Sequence, residues 1–273
     1  MSHSGRGGGG SRGEHSPGPT IHRPRSAVQE KPAPVSDLIE EGRCAVCGHV
    51  GKYVRTERPT RGNHNCEICH ASLRYRLQAS AITAVYGRPN SPLAALRKQP
   101  SFRSLTIYEP GKVGPFRRRL RDISGYVSSC YWPDVTPGEV HDGTRCEDLR
   151  SLTFSDDSLD LVITSDIFEH VRTPMVAFAE LFRVLRPGGF HIFTVPLRWP
   201  LPSTTRSRVD SSGPDDVFLL PPVYHQSPVD ANGSLVYTDF GMNLPDELRE
   251  LGFETDTHLG YRNAVTFVSR KPL

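Results

Sequence analysis

Four of the six cysteines fall in two C-x-x-C pairs, Cys44 and Cys47 in CAVC and Cys66 and Cys69 in CEIC, with eighteen residues between the pairs. Each such turn presents two thiolates to one ion, and two turns at this separation complete a tetrahedral zinc set. A set of four ligands leaves no open position, so the expected metal is structural. His49, His64 and His70 lie close by and are surplus to an all-cysteine site. No apolar leader precedes these cysteines, which favours metal over disulfides.

The second group of chemically capable residues is dispersed. In LTIYEPGKVGP, residues 105–115, an apolar run ends in Glu109 and is followed by Gly111 and Gly114. Pro110 precedes the glycines and the third glycine is missing, so this is no G-x-G-x-x-G phosphate loop. The arrangement instead places an acid at the carboxyl end of a strand, the edge where open parallel sheets take their ligands. Further along come Glu147-Asp148-Leu149, the block DLVITSDIFEHV at 160–171, and a Tyr224-His225 pair. His191 sits mid-strand among apolar residues and reads as a buried, satisfied histidine.

These residues need a scaffold, and the hydrophobic pattern supplies one. Residues 1–37 are rich in Gly, Ser, Pro and Arg and read as a disordered tail. The cysteine segment spans 38–75 and a larger domain spans 76–273. Helices are expected at 73–86, with Leu73, Leu77, Ile82 and Tyr86 near one face, and at 91–98, with Ser91 as cap. Strands at 104–108, 125–131, 144–147, 159–164 and 190–195 then alternate with helices at 116–122 and 173–186. Alternation of this kind means a parallel sheet covered on both faces. A helix at 244–252 and strands at 253–259 and 264–269 close the chain, after an irregular lid-like insertion at about 197–240. The net charge of +3 is too small to argue for nucleic acid. No apolar run approaches a membrane span, so a cytoplasmic protein is expected.

The blocks EDL, EHV and LRPGG, with the acid-glycine turn before them, resemble the class I S-adenosylmethionine-dependent methyltransferases, and among them proteins that carry an N-terminal zinc ribbon. The resemblance implies an α/β, doubly wound Rossmann-like fold, mostly parallel with an antiparallel last strand, preceded by a small zinc ribbon. It implies that Glu109 binds the cofactor's methionine amino group while Gly111 and Gly114 let the backbone approach. It gives Asp148, with Leu149 beside it, to the adenine, and places Ser165 and Asp166 next to the methyl group. One departure stands out. The acid that normally grips the ribose at the end of the second strand is replaced by Cys130, with Asp134 the nearest carboxylate.

The same resemblance puts Tyr224, His225 and Asp239 in the acceptor pocket. His225 is then the candidate base, and His170 either lines the site or serves as a helix-start contact. The leading expectation is methyl transfer to O or N of a small molecule, with a sugar or natural-product scaffold in view. RNA is the less favoured acceptor, and a methyltransferase-like binding protein without activity is a further alternative. The oligomeric state is not legible.

Overall fold

The computed structural model describes residues 38–55, 65–226, 231–260 and 264–273. The tail at 1–37 and His64 lie outside the described residues, so those expectations stop there. The described chain falls within one compact unit, Ser36–Leu273. It opens with an antiparallel pair, β1 (Leu38–Arg43) and β2 (Val50–Arg55), which carries the first cysteine knuckle between its strands. Then follow α1 (Leu73–Tyr86), α2 (Leu93–Leu96) and α3 (Pro100–Arg103).

The core alternates β3 (Ile107–Pro110), α4 (Pro115–Leu120), β4 (Tyr126–Cys130), β5 (Val140–His141), β6 (Thr144–Cys146), β7 (Leu159–Ser165), α5 (Pro174–Val184) and β8 (Leu185–Thr194). Among the described residues the insertion holds three two-stranded ribbons built from β9 (Arg206–Ser207), β10 (Val209–Asp210), β11 (Val217–Phe218), β12 (Tyr224–His225), β13 (Ser234–Leu235) and β14 (Thr238–Asp239). The chain closes with α6 (Leu244–Glu250), β15 (Glu254–Leu259) and β16 (Val265–Arg270).

Eight strands form one sheet in the order β15-β16-β8-β7-β3-β4-β6-β5. The pairs from β8 through β6 are parallel, and β16 runs antiparallel to β8, as expected of this doubly wound sheet. The short antiparallel edge strand β5 was not foreseen. Period-two alternation sends neighbouring residues to opposite faces. Ile107, Leu161, Ile163, Ile192 and Val268 pack with α1, α2 and α4 on one face, while Tyr108, Val162, Phe193 and Phe267 pack with α5 and α6 on the other.

Three local expectations change. The buried line of α1 runs through Gln78, Ala79, Ile82 and Thr83, whereas Leu73 and Leu77 are only half-buried. Ser91 does not cap α2, because the first N–H groups of that helix, at Leu93 and Ala94, donate to the carbonyls of Ala45 and Val46 in the first knuckle. And β8 begins at Leu185, so the LRPGG block lies inside the strand. A Cβ on Gly189 would meet the Leu159 and Asp160 carbonyls of β7 at 3.1 and 3.2 Å, which explains the glycine there.

Candidate functional site

The two cysteine knuckles fold alike. Cys44 N–H donates to the His49 carbonyl and Gly48 N–H back to Cys44; Cys66 and His70 repeat the pattern with Ala71. Gly48 and His70 occupy matching left-handed positions. The four sulfurs lie within 4.8 Å of one another, with Cys44–Cys69 at 3.7 Å and Cys47–Cys66 at 3.6 Å. Tetrahedral Zn–S bonds of ~2.3 Å give edges of about 3.8 Å, so the cluster fits zinc. His49 bonds Glu67 and His70 shapes its turn, which leaves four thiols as the donor set.

At the carboxyl end of β3, Glu109 is only 7% exposed. Burial pushes its carboxyl up to about 7, against the hydrogen bond from Tyr126 Oη at 2.6 Å and the positive charge of Arg117. Gly111 has φ +130° and open space where a Cβ would stand, and the Cβ position of Gly114 lies 3.6 Å from Glu109 Oε1. At Gly111 and Gly114 the turn after β3 thus offers backbone without a Cβ, close to one buried acid.

Helix α1 lines the same edge, which the sequence did not reveal. Arg74 pairs with Asp166 and lies over the Tyr75 ring, and Tyr75 packs edge-on against Phe116. Gln78 is fully buried; its Nε2 donates to the Thr164 and Ile192 carbonyls at 2.9 Å, and its Oε1 accepts from Ser165 Oγ at 2.7 Å. One amide thus ties the ends of β7 and β8 to α1. Asp166, at φ +56°, also accepts from Thr194 Oγ1 at 3.0 Å.

On the other side of β3, Cys130 is buried beside Cys146 of β6, and burial raises its thiol despite Lys112 and Arg117. Asp134, the nearest carboxylate in sequence, is exposed. The neighbouring hydroxyls are committed, Ser129 to Tyr108 and Ser128 to Arg117. Asp148 is held by its near neighbour, accepting from the Arg150 backbone N–H at 2.9 Å and from its guanidinium at 2.6 Å. Burial acts to raise its carboxyl, but these bonds prevail and hold it below the usual range. Leu149 is buried in the core beneath it. His191 is fully buried, and desolvation pushes its imidazole down to about 3; Thr164 Oγ1 bonds its Nε2 at 2.9 Å, while Nδ1 has no partner among the described residues. It is therefore half satisfied.

After β7 the chain makes a single 3-10 turn, Phe168–His170, pinned by Phe168 stacked on Phe178 at 3.9 Å. The insertion is fastened to this turn. Tyr237 N–H donates to the Glu169 carbonyl and His170 Nδ1 to the Leu235 carbonyl, both at 2.7 Å. Of the three residues expected at the acceptor pocket, His225 reaches the turn after β7, with Nδ1 3.2 Å from His170 Nε2. Tyr224 is exposed, and Asp239 is taken up by Arg208 at 2.7 Å.

Residues 122–193, running from the loop before β4 through most of β8, match a family model described as a methyltransferase domain. An uncharacterized methyltransferase of Mycobacterium avium (strain 104) is 43% identical over 44 residues, 16% of this chain and 17% of the relative. The malonyl-[acyl-carrier protein] O-methyltransferase of Marinomonas sp. (strain MWYL1) is 32% identical over 62 residues, 23% of each. The aligned stretches thus span less than a quarter of either relative. Among solved structures, an S-adenosylmethionine-dependent methyltransferase from Mesorhizobium loti superposes with a TM-score of 0.42 at 17% identity, over 65% of this chain and 96% of that one. The match to a methyltransferase domain thus falls on the middle of the doubly wound sheet.

Proposed function

We propose that the protein binds S-adenosylmethionine along the carboxyl ends of β3 and β4 and transfers its methyl group to O or N of a small molecule held under the insertion. The observation that carries this reading is Glu109: a buried carboxylate at the strand end, followed by Gly111 and Gly114 in the turn, suits the ammonium of that cofactor and a close approach of the backbone to it. Asp148 and Leu149 flank the adenine side, and Ser165 and Asp166 the methyl side. The ribose is held without a carboxylate from β4, where Cys130 stands. The cofactor supplies an electrophilic methyl on a sulfonium. The chain's part is to orient it in line with the acceptor and to exclude water. His225 and His170 face the acceptor side, with His225 placed to take a proton from a hydroxyl acceptor. The four cysteines hold a structural zinc.

A small acceptor is favoured because the insertion is bonded to the turn after β7 at Glu169, His170 and Arg172, which walls the methyl end. The test supplies methyl-labelled S-adenosylmethionine together with a small-molecule extract or total RNA. Label is expected in the small-molecule fraction and is lost in Glu109→Ala. Label in RNA would overturn the acceptor class, and none in either would overturn methyl transfer.

A further inference from the structure

Beside the acceptor side lies a cluster whose chemistry exceeds that of a general base. Glu169 is 0% exposed, and neither of its carboxylate oxygens has a hydrogen-bond partner among the described residues. A buried carboxylate without donors is costly, and its usual explanation is a cation. Two imidazoles face it. Glu169 Oε1 stands 3.5 Å from His170 Nε2 and 3.6 Å from His225 Nδ1, and the two nitrogens are 3.2 Å apart. None of these approaches has the length of a good charged hydrogen bond.

They have the dimensions of a coordination polyhedron. Four ligands at ~2.0–2.1 Å around zinc are separated by about 3.3–3.4 Å, and the three measured edges bracket that value. The tautomer agrees as well. His170 Nδ1 lies 2.7 Å from the Leu235 carbonyl, which can only accept, so the proton sits on Nδ1 and the Nε2 lone pair points at Glu169 and His225. A ligating histidine is typically fixed in this way, by donating its other N–H to a backbone carbonyl.

We infer that Glu169, His170 and His225 form a second metal site, which takes a zinc-class divalent cation and leaves one position open toward the acceptor. The site joins two parts of the fold: Glu169 and His170 come from the turn after β7, and His225 from ribbon β12–β13 of the insertion. Binding would lock the insertion onto the core. With the cation bound, His225 would serve as a ligand in place of the base role given it above, and a hydroxyl at the open position would lose its proton more readily. The inference rests on the cluster's geometry and stands or falls separately from the methyl-transfer reading.

Elemental analysis tests it, on full-length protein dialysed against buffered micromolar Zn²⁺. The parent should retain one equivalent of zinc more than His225→Ala and one more than Glu169→Gln. Cobalt substitution separates the sites, since thiolate-to-cobalt charge transfer reports only the cysteine cluster and should be unchanged in both variants. The His225 side chain is 41% exposed, so its truncation should leave the fold intact even if the buried Glu169 variant does not. Equal zinc in the parent and His225→Ala would overturn the site, as would a parent whose entire metal content follows the thiolate band.

Discussion

Glu109 carries two opposed costs. Burial holds its carboxyl near 7, so in the free protein the neutral form is populated at neutral pH, while an ammonium ligand requires the anion. Affinity for S-adenosylmethionine should therefore rise about tenfold per unit as pH approaches 7 from below and flatten above it. Glu109→Gln should abolish that slope, as calorimetry across pH 5.5–8.5 would show. Folding runs the other way. A carboxyl raised above its unfolded value contributes stability that is lost as pH rises through 7, so Glu109→Gln should melt higher than the parent at pH 8. A variant that melts lower at pH 8 would contradict the assigned burial cost. Glu109 was legible because an acid ending an apolar run before two glycines is a strand-edge signal. The Arg150 clamp on Asp148 was not, because a two-residue side-chain bond leaves no periodic trace.

At the scale of elements, α1 does more than its apolar pattern suggested. Its limits, Leu73–Tyr86, follow from the sequence, but the buried face is set by Gln78 meeting the ends of β7 and β8. A polar residue at a helix position reads as solvent-facing, and only the partner strands reveal otherwise. Replacing Gln78 with Leu leaves two strand-end carbonyls and the Ser165 hydroxyl without this partner. The expected loss is roughly 1–3 kcal/mol, read from urea unfolding. Cofactor binding should weaken as well, because Ser165 and Asp166 sit on the segment that Gln78 holds. Equal stability in parent and variant would remove this anchoring role. The insertion was recognised as a long irregular segment, but its three ribbons and its fastening to Glu169 and His170 depend on pairings between short segments that no local signal encodes.

In the whole molecule, the cysteine knuckles and the sheet share one apolar cluster, in which Cys44, Val46 and Cys66 continue through Ala79, Ile82, Leu93 and Leu96 to Phe116 and Leu161. The first knuckle also supplies the carbonyls that close the N-terminus of α2. Removing metal from the thiolates should then loosen α1 and α2 along with the ribbon. Hydrogen exchange after chelation should show lost protection at Leu93, Ala94 and the first turns of α1. Loss confined to residues 41–55 and 65–71 would show instead that the ribbon is energetically separate. The C-x-x-C spacing made the gathering of four thiols legible, and the strand–helix alternation made the doubly wound sheet legible. The joining of the two was hidden, because it depends on which face of α1 is buried.

The central claim is that this strand edge binds S-adenosylmethionine through Glu109. Calorimetry of the full-length protein with S-adenosylmethionine, and with its demethylated product, tests it most directly. The account predicts saturable binding of both, weakened at least tenfold in Glu109→Ala. Binding of neither ligand, or an affinity unchanged in Glu109→Ala, would contradict it.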